Sequence, residues 1–148
     1  MHSSAHYRQL LTRLPQIAVA ADQFQILSSA KDFKSRILSL IAHATQRIYL
    51  IALYLQDDEA GREILSALYA AKQRNPALDI KVFVDFHRAQ RGLIGKGKQG
   101  GNHLMYQAMA ARHEHQIEIY GVPVKGRELL GVLHLKGFIF DDTLLYSG

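Results

Sequence analysis

The chain has 148 residues, 48% hydrophobic and 21% charged, and its 18 lysines and arginines against 13 acids give a formal charge of +5. This is the length of one domain with enough apolar content for a core, which excludes long disorder, and the basic balance favours a phosphate-bearing partner over a cationic one. There is no cysteine, so disulfides and thiolate metal sites are excluded, in keeping with a reducing cytoplasmic setting.

The N-terminus lacks the pattern of a secretory signal, and its longest apolar piece, Ile17 to Ala21, is far short of the roughly 20 residues that span a bilayer. Tyr7, Leu10, Leu11 and Leu14 follow helical spacing opposite Arg8 and Arg13, which predicts an amphipathic helix in a lead-in over residues 1–22. The remaining residues, 23–148, form the predicted domain. Phe24 to Leu27 reads as a short strand, and Ser28 or Ser29 then caps a helix with Phe33, Ile37, Leu38 and Ile41 on its apolar face. RIYLIALYL, from Arg47 to Leu55, is an almost continuous apolar run, as expected of a strand buried on both faces. The next helix opens on Asp57, Asp58 and Glu59 and closes on Lys72 and Arg74 before Pro76, charges that match the two ends of the helix dipole. DIKVFVDF predicts a second core strand over Asp79 to Phe86. Glycines 92, 95, 97, 100 and 101 mark a loop, HLMYQAMAARH a short helix, and QIEIYGV a third strand. VLHLKGFIF predicts another strand, with Asp141, Asp142 and Thr143 turning the chain into LLYS. The order predicts an α/β domain with a mixed sheet flanked by helices.

Within VLHLKGFIF, alternation places His134 and Lys136 on one face. Lysine is rarely buried without a partner, so Lys136 must reach an anion or open water, and a cleft provides either. The alternative is a polar edge strand with a solvated lysine. DFHRAQR places His87, Arg88 and Arg91 where a core strand runs out into the glycine-rich loop, and no acid occurs between Asp85 and Glu114. With Lys96 and Lys98 this stretch could hold a pyrophosphate or contact anionic headgroups, or it could be a solvated basic loop. Gly92 to Lys98 also fits Gly-x-x-x-x-Gly-Lys, but Gln99 follows where a phosphate-binding loop needs serine or threonine. His43, His103, His113 and His115 show no metal-ligand spacing.

His134, Lys136 and Asp141 match His-x-Lys-x-x-x-x-Asp, which resembles the signature of the phospholipase D superfamily. Three residues alone recur by chance. VDFHRAQRGLIG, IALYLQDDEAG, YGVPV and LGVLHLKGFIFDDTLLYSG together resemble the first half of bacterial phosphatidylserine synthases of the phospholipase D type. The likeness runs through nearly the whole chain and is weakest before about Phe24. It implies a phospholipase D-like fold and the transfer of a phosphatidyl group from CDP-diacylglycerol to L-serine with release of CMP. His134 would attack phosphorus through a phosphatidyl-histidine intermediate, Lys136 would neutralise charge on the phosphoryl oxygens, and Asp141 would support the site. His87, Arg88 and Arg91 would bind substrate, and no metal or other cofactor is expected. The resemblance further implies peripheral attachment to the anionic inner face of the membrane, with no specific nucleic acid partner.

The family's site uses two copies of the motif, and this sequence carries one. Read this way, the chain is a partial form with little activity alone, with uncovered apolar surface and a tendency to self-associate unless a C-terminal half completes it. Two other functions share some of these features. One is a different phospholipase D-type enzyme, such as a cardiolipin synthase or nuclease. The other is a non-catalytic module that binds anionic lipid or nucleic acid through the His87 to Lys98 loop.

Overall fold

The computed structural model describes residue 9 and residues 11–91, 100–124 and 132–147. After a single 3-10 turn at Ala21–Gln23 the elements are α1 (Ala30–His43), β1 (Arg47–Ala52), α2 (Glu59–Arg74), β2 (Asp79–Asp85), α3 (Phe86–Ala89), α4 (Asn102–Ala110), β3 (Glu118–Val122), β4 (Gly137–Phe140) and β5 (Thr143–Tyr146). The expected α/β domain with a mixed sheet is present. Its strand order is β3-β2-β1-β4-β5, parallel from β1 to β3 and antiparallel from β1 to β5.

Local signals explain the helices. The Asp32 N–H donates to the Ser29 hydroxyl oxygen at 3.0 Å, so Ser29 is the cap of α1. Asp58 caps α2 by accepting from the Gly61 N–H at 2.9 Å. Ile37 and Ile41 of α1, and Leu65, Leu68, Tyr69 and Ala71 of α2, are buried against Ile48, Leu50, Ile80, Val82, Val84, Phe138 and Phe140 of the sheet. Removing each large side chain of this set from water contributes about 1.5–3 kcal/mol.

The core therefore lies on one face of the sheet. The opposite face carries two side-chain rows set by the register, Glu118–Lys81–Tyr49–Ile139–Leu144 and Tyr120–Phe83–Ile51–Gly137–Tyr146. Its outer members remain open to solvent: Tyr120 is 44% exposed, Leu144 69% and Tyr146 63%.

Two expectations need correction. Phe24 to Leu27 forms no strand; Phe24 and Ile26 are 69% and 79% exposed, and the segment joins neither sheet edge. An apolar tetrapeptide without a strand to pair with has nothing to hold it extended. The strand expected across VLHLKGFIF begins only at Gly137, because its partner β1 ends at Ala52 and the last pair between them is Ile51 with Gly137. Tyr7, Arg8 and Leu10 of the predicted helix from Tyr7 to Leu14, the glycine loop with Lys96 and Lys98, and the loop through Lys125 and Arg127 lie outside the described residues.

Candidate active site

His134 and Lys136 sit just before β4, at the carboxyl-terminal ends of β1 and β2. The Ser147 N–H donates to the Lys136 carbonyl at 3.2 Å, which holds Lys136 at the end of the β4–β5 ladder. Lys136 Nζ lies 3.5 Å from His134 Nε2, so the two side chains meet as their spacing predicts, although neither is in a strand. His134 is exposed and Lys136 half-buried. A neutral imidazole nitrogen beside an ammonium suits attack on an anionic phosphodiester, since the cation offsets charge that builds on the phosphoryl oxygens.

Asp141 is elsewhere. Five residues beyond Lys136, at about 3.3 Å per residue, it lies ~16 Å away at the far end of β4. There its carboxylate accepts from the N–H groups of Thr45, Gln46 and Arg47 at 2.9, 2.8 and 3.0 Å and from the Thr45 hydroxyl at 3.1 Å. These donors, the Arg47 N–H foremost, hold its pKa down to about 2. Asp141 has φ 50° at the first position of the two-residue β4–β5 turn, a conformation that aspartate tolerates better than most residues. It joins the hairpin to the start of β1 and makes no contact with the His134–Lys136 pair.

His87, Arg88 and Arg91 come from α3 and the residues just after it. His87 and Arg91 are exposed and Arg88 half-buried. Neither arginine, nor Lys136, takes part in the four ion pairs among the described residues. Positive charge at the sheet's mouth is thus available to an outside anion.

Sequence reasoning missed the residue that links these two groups. Asp85, at the end of β2, is 1% exposed. It accepts from the Arg88 N–H at 2.8 Å through Oδ1 and from the Leu133 N–H at 3.0 Å through Oδ2. Burial pushes its carboxyl pKa up, but the N–H groups of Leu133, Arg88 and His87 outweigh that and leave it below the usual range. The available signal was an acid closing an apolar strand, although nothing in the sequence pointed to Leu133 as its partner. Asn102, 2% exposed, was also missed; it accepts from the Asp57 N–H at 2.9 Å and donates to the Arg91 carbonyl at 3.3 Å.

Two of the scattered histidines, His43 and His113, make local contacts. His43 Nδ1 lies 2.7 Å from the Ser39 carbonyl, and His113 stacks on Tyr69 at 4.3 Å. Among the described residues no group of three histidine or carboxylate side chains is arranged to hold a metal ion, and no helix is long and apolar enough to cross a membrane.

The model of a family described as "Cardiolipin synthase, PLD-like domain" matches residues 37–148. A CDP-diacylglycerol–serine O-phosphatidyltransferase of Haemophilus influenzae is 49% identical over 95% of this chain, which covers 31% of that protein. The corresponding Escherichia coli transferase is 47% identical over 96% of the chain, covering 32% of its own length. The crystal structure of a Haemophilus influenzae phosphatidylserine synthase superposes with a TM-score of 0.85 at 45% identity, over 96% of this chain and 32% of that one. The chain spans about a third of the length of these relatives.

Proposed function

We propose, from the premise that this chain belongs to the cardiolipin synthase, PLD-like domain family, that it carries one half-site of a CDP-diacylglycerol–serine O-phosphatidyltransferase. The observation that carries the reading is His134 Nε2 held 3.5 Å from Lys136 Nζ, in a chain 47–49% identical to two transferases of that name. His134 attacks the lipid-side phosphorus of CDP-diacylglycerol, the bond from that phosphorus to CMP breaks, and a phosphatidyl-histidine remains. The serine hydroxyl then attacks phosphorus, the bond to His134 breaks, and phosphatidylserine leaves. Lys136 offsets the charge on the non-bridging oxygens in both steps. The proton that CMP needs on leaving, and the removal of the serine proton, fall to a second motif histidine that this sequence does not contain.

His87, Arg88 and Arg91 bind the pyrophosphate of the substrate, and the same basic face meets the anionic headgroups of the membrane from one side. Asp141 contributes at a distance, by fixing the hairpin that carries the motif. Residues 1–22 are a lead-in to the domain that begins at residue 23.

The test is a chimera in which this chain replaces the segment of the Haemophilus influenzae relative that it matches. Serine-dependent CMP release from CDP-diacylglycerol should appear in the chimera and fall at least a thousandfold in His134→Ala, with little or none in the 148-residue chain alone. Activity that persists in His134→Ala overturns the assignment of the nucleophile. CMP release without serine incorporation into lipid overturns the substrate.

A further inference from the structure

Among the described residues, only two polar or charged residues belong to the buried set, Asp85 and Asn102. Both are committed to one segment. Asp85 holds its start through the Arg88 N–H, and Asn102 holds its end through the Arg91 carbonyl. The other polar atom of each side chain reaches a different loop: Asp85 takes the Leu133 N–H, one residue before His134, and Asn102 takes the Asp57 N–H in the β1–α2 loop. That loop is tied to α4 again by Tyr106, whose hydroxyl donates to the Leu55 carbonyl at 2.7 Å and accepts from the Leu55 N–H at 2.9 Å.

Burying a carboxylate or an amide is unfavourable unless every polar atom finds a partner, and apolar residues in such places often leave a fold equally stable. What Asp85 and Asn102 provide that apolar side chains cannot is direction, because each bonds two backbone groups from segments far apart in sequence. We infer that Asp85 and Asn102 are a pair of positioning residues that clamp the His87–Arg91 segment at both ends and fix its spacing from the His134–Lys136 pair. Without the clamp, the cations that hold the substrate's phosphates and the group that attacks phosphorus drift relative to each other. Small errors of that kind are costly in transfer reactions. The inference rests on the proposed transfer reaction for its functional meaning, and on the hydrogen bonds alone for its structural meaning.

Two measurements test it. In the 148-residue chain, Asp85→Asn should speed amide hydrogen exchange at Arg88 and Leu133 at least tenfold and leave Ile80 and Val82 of β2 unchanged. In the Haemophilus influenzae chimera, Asp85→Asn should lower kcat for serine-dependent CMP release at least tenfold, and Asn102→Leu should raise KM for CDP-diacylglycerol by a similar factor. Both are compared with Ile41→Val, a core variant remote from the site that reports the effect of lost stability alone. If Asp85→Asn does not fold, Leu133→Pro removes the donor, keeps the carboxylate and should give the same kcat loss. Unchanged exchange at Arg88 and Leu133, or losses no larger than those of Ile41→Val, overturns the inference. A parent chimera without serine-dependent activity overturns the proposed reaction instead, and the exchange measurement then decides the clamp by itself.

Discussion

Arg47 and Asp141 hold each other through backbone and side chain alike. The Arg47 N–H donates to the Asp141 carboxylate at 3.0 Å, the Asp141 N–H donates to the Arg47 carbonyl at 3.0 Å, and Arg47 Nε donates to the Asp141 carbonyl at 3.1 Å. The motif carboxylate thereby anchors the β4–β5 hairpin to β1. Asp141→Ala should cost about 2 kcal/mol, because it removes the charged acceptor of three backbone N–H groups. In a domain of this size that lowers Tm by about 5 °C, measurable by thermal melts at neutral pH.

Asp141 also sets an acid limit. Its folded pKa of about 2 lies below the ordinary aspartate value of 3.8, so its contribution is fully present above about pH 4 and is lost as pH falls towards 2. With a discount for its partial exposure, the linked stability is about 1–2 kcal/mol. Native chain should lose more stability between pH 5 and pH 2.5 than Asp141→Asn does. Parallel acid titrations of the two would count against the assignment.

Two glycines should respond in opposite ways to alanine. A Cβ on Gly101 would meet the Gln90 carbonyl oxygen at 2.1 Å, a backbone atom that cannot step aside, whereas a Cβ on Gly137 has nothing within 4 Å. Gly101→Ala should cost at least about 2 kcal/mol and disturb the neighbouring Asn102. Gly137→Ala should fall within about 0.5 kcal/mol of the native chain. Urea denaturation of the pair gives the comparison.

Arg88→Gln and Arg91→Gln should leave the fold almost unchanged, since neither arginine joins an ion pair among the described residues. On the proposed membrane contact, each should remove about 1 kcal/mol of attraction to an anionic membrane, or about a fivefold loss of binding. Co-sedimentation with phosphatidylglycerol vesicles should show the loss at low salt and a smaller one at high salt. Equal binding by native and doubly substituted chains removes this surface from membrane contact.

The bare sheet face should drive self-association of the 148-residue chain. Leu144 and Tyr146 lie on the edge strand β5 with Ile139 beside them on β4, and lysine at both β5 positions should suppress association. Sedimentation velocity over a range of concentrations decides it; a native chain that stays monomeric throughout refutes the expectation.

The strands and helices that carry the core were legible in the sequence because their signals are local. Asp58 and Glu59 mark the start of α2 and Lys72 and Arg74 its end, while the runs from Arg47 and Asp79 mark strands, although β1, expected to be buried on both faces, is buried on one and only partly covered on the other. Phe24 to Leu27 misled because strand propensity says nothing about whether a neighbour exists. His134 and Lys136 were found by spacing, yet spacing extended the strand too far back, since its start depends on where β1 ends. Asp85 and Asn102 were silent for a related reason: their partners Leu133 and Asp57 lie 48 and 45 positions away. A sequence motif records what one segment contains, while the placement of a site depends on what distant segments share.

The position of β4 beside β1 has a consequence for the order of assembly. β1, α2 and β2 form a local unit whose parallel pairing joins residues 32 apart, as Arg47 with Asp79. The hairpin must instead find β1 across a separation of 94 residues, as the Arg47–Asp141 contact records. Closing that longer loop costs more chain entropy, so the hairpin should dock after the β1–β2 unit has formed. Substitutions at Phe138 or Asp141 should then quicken unfolding and hardly slow refolding, with φ-values near zero, while those at Leu50 or Val82 slow refolding. His134 and Lys136, on the segment that leads into β4, then come together only in the last step, so a nascent or partly unfolded chain lacks the assembled pair.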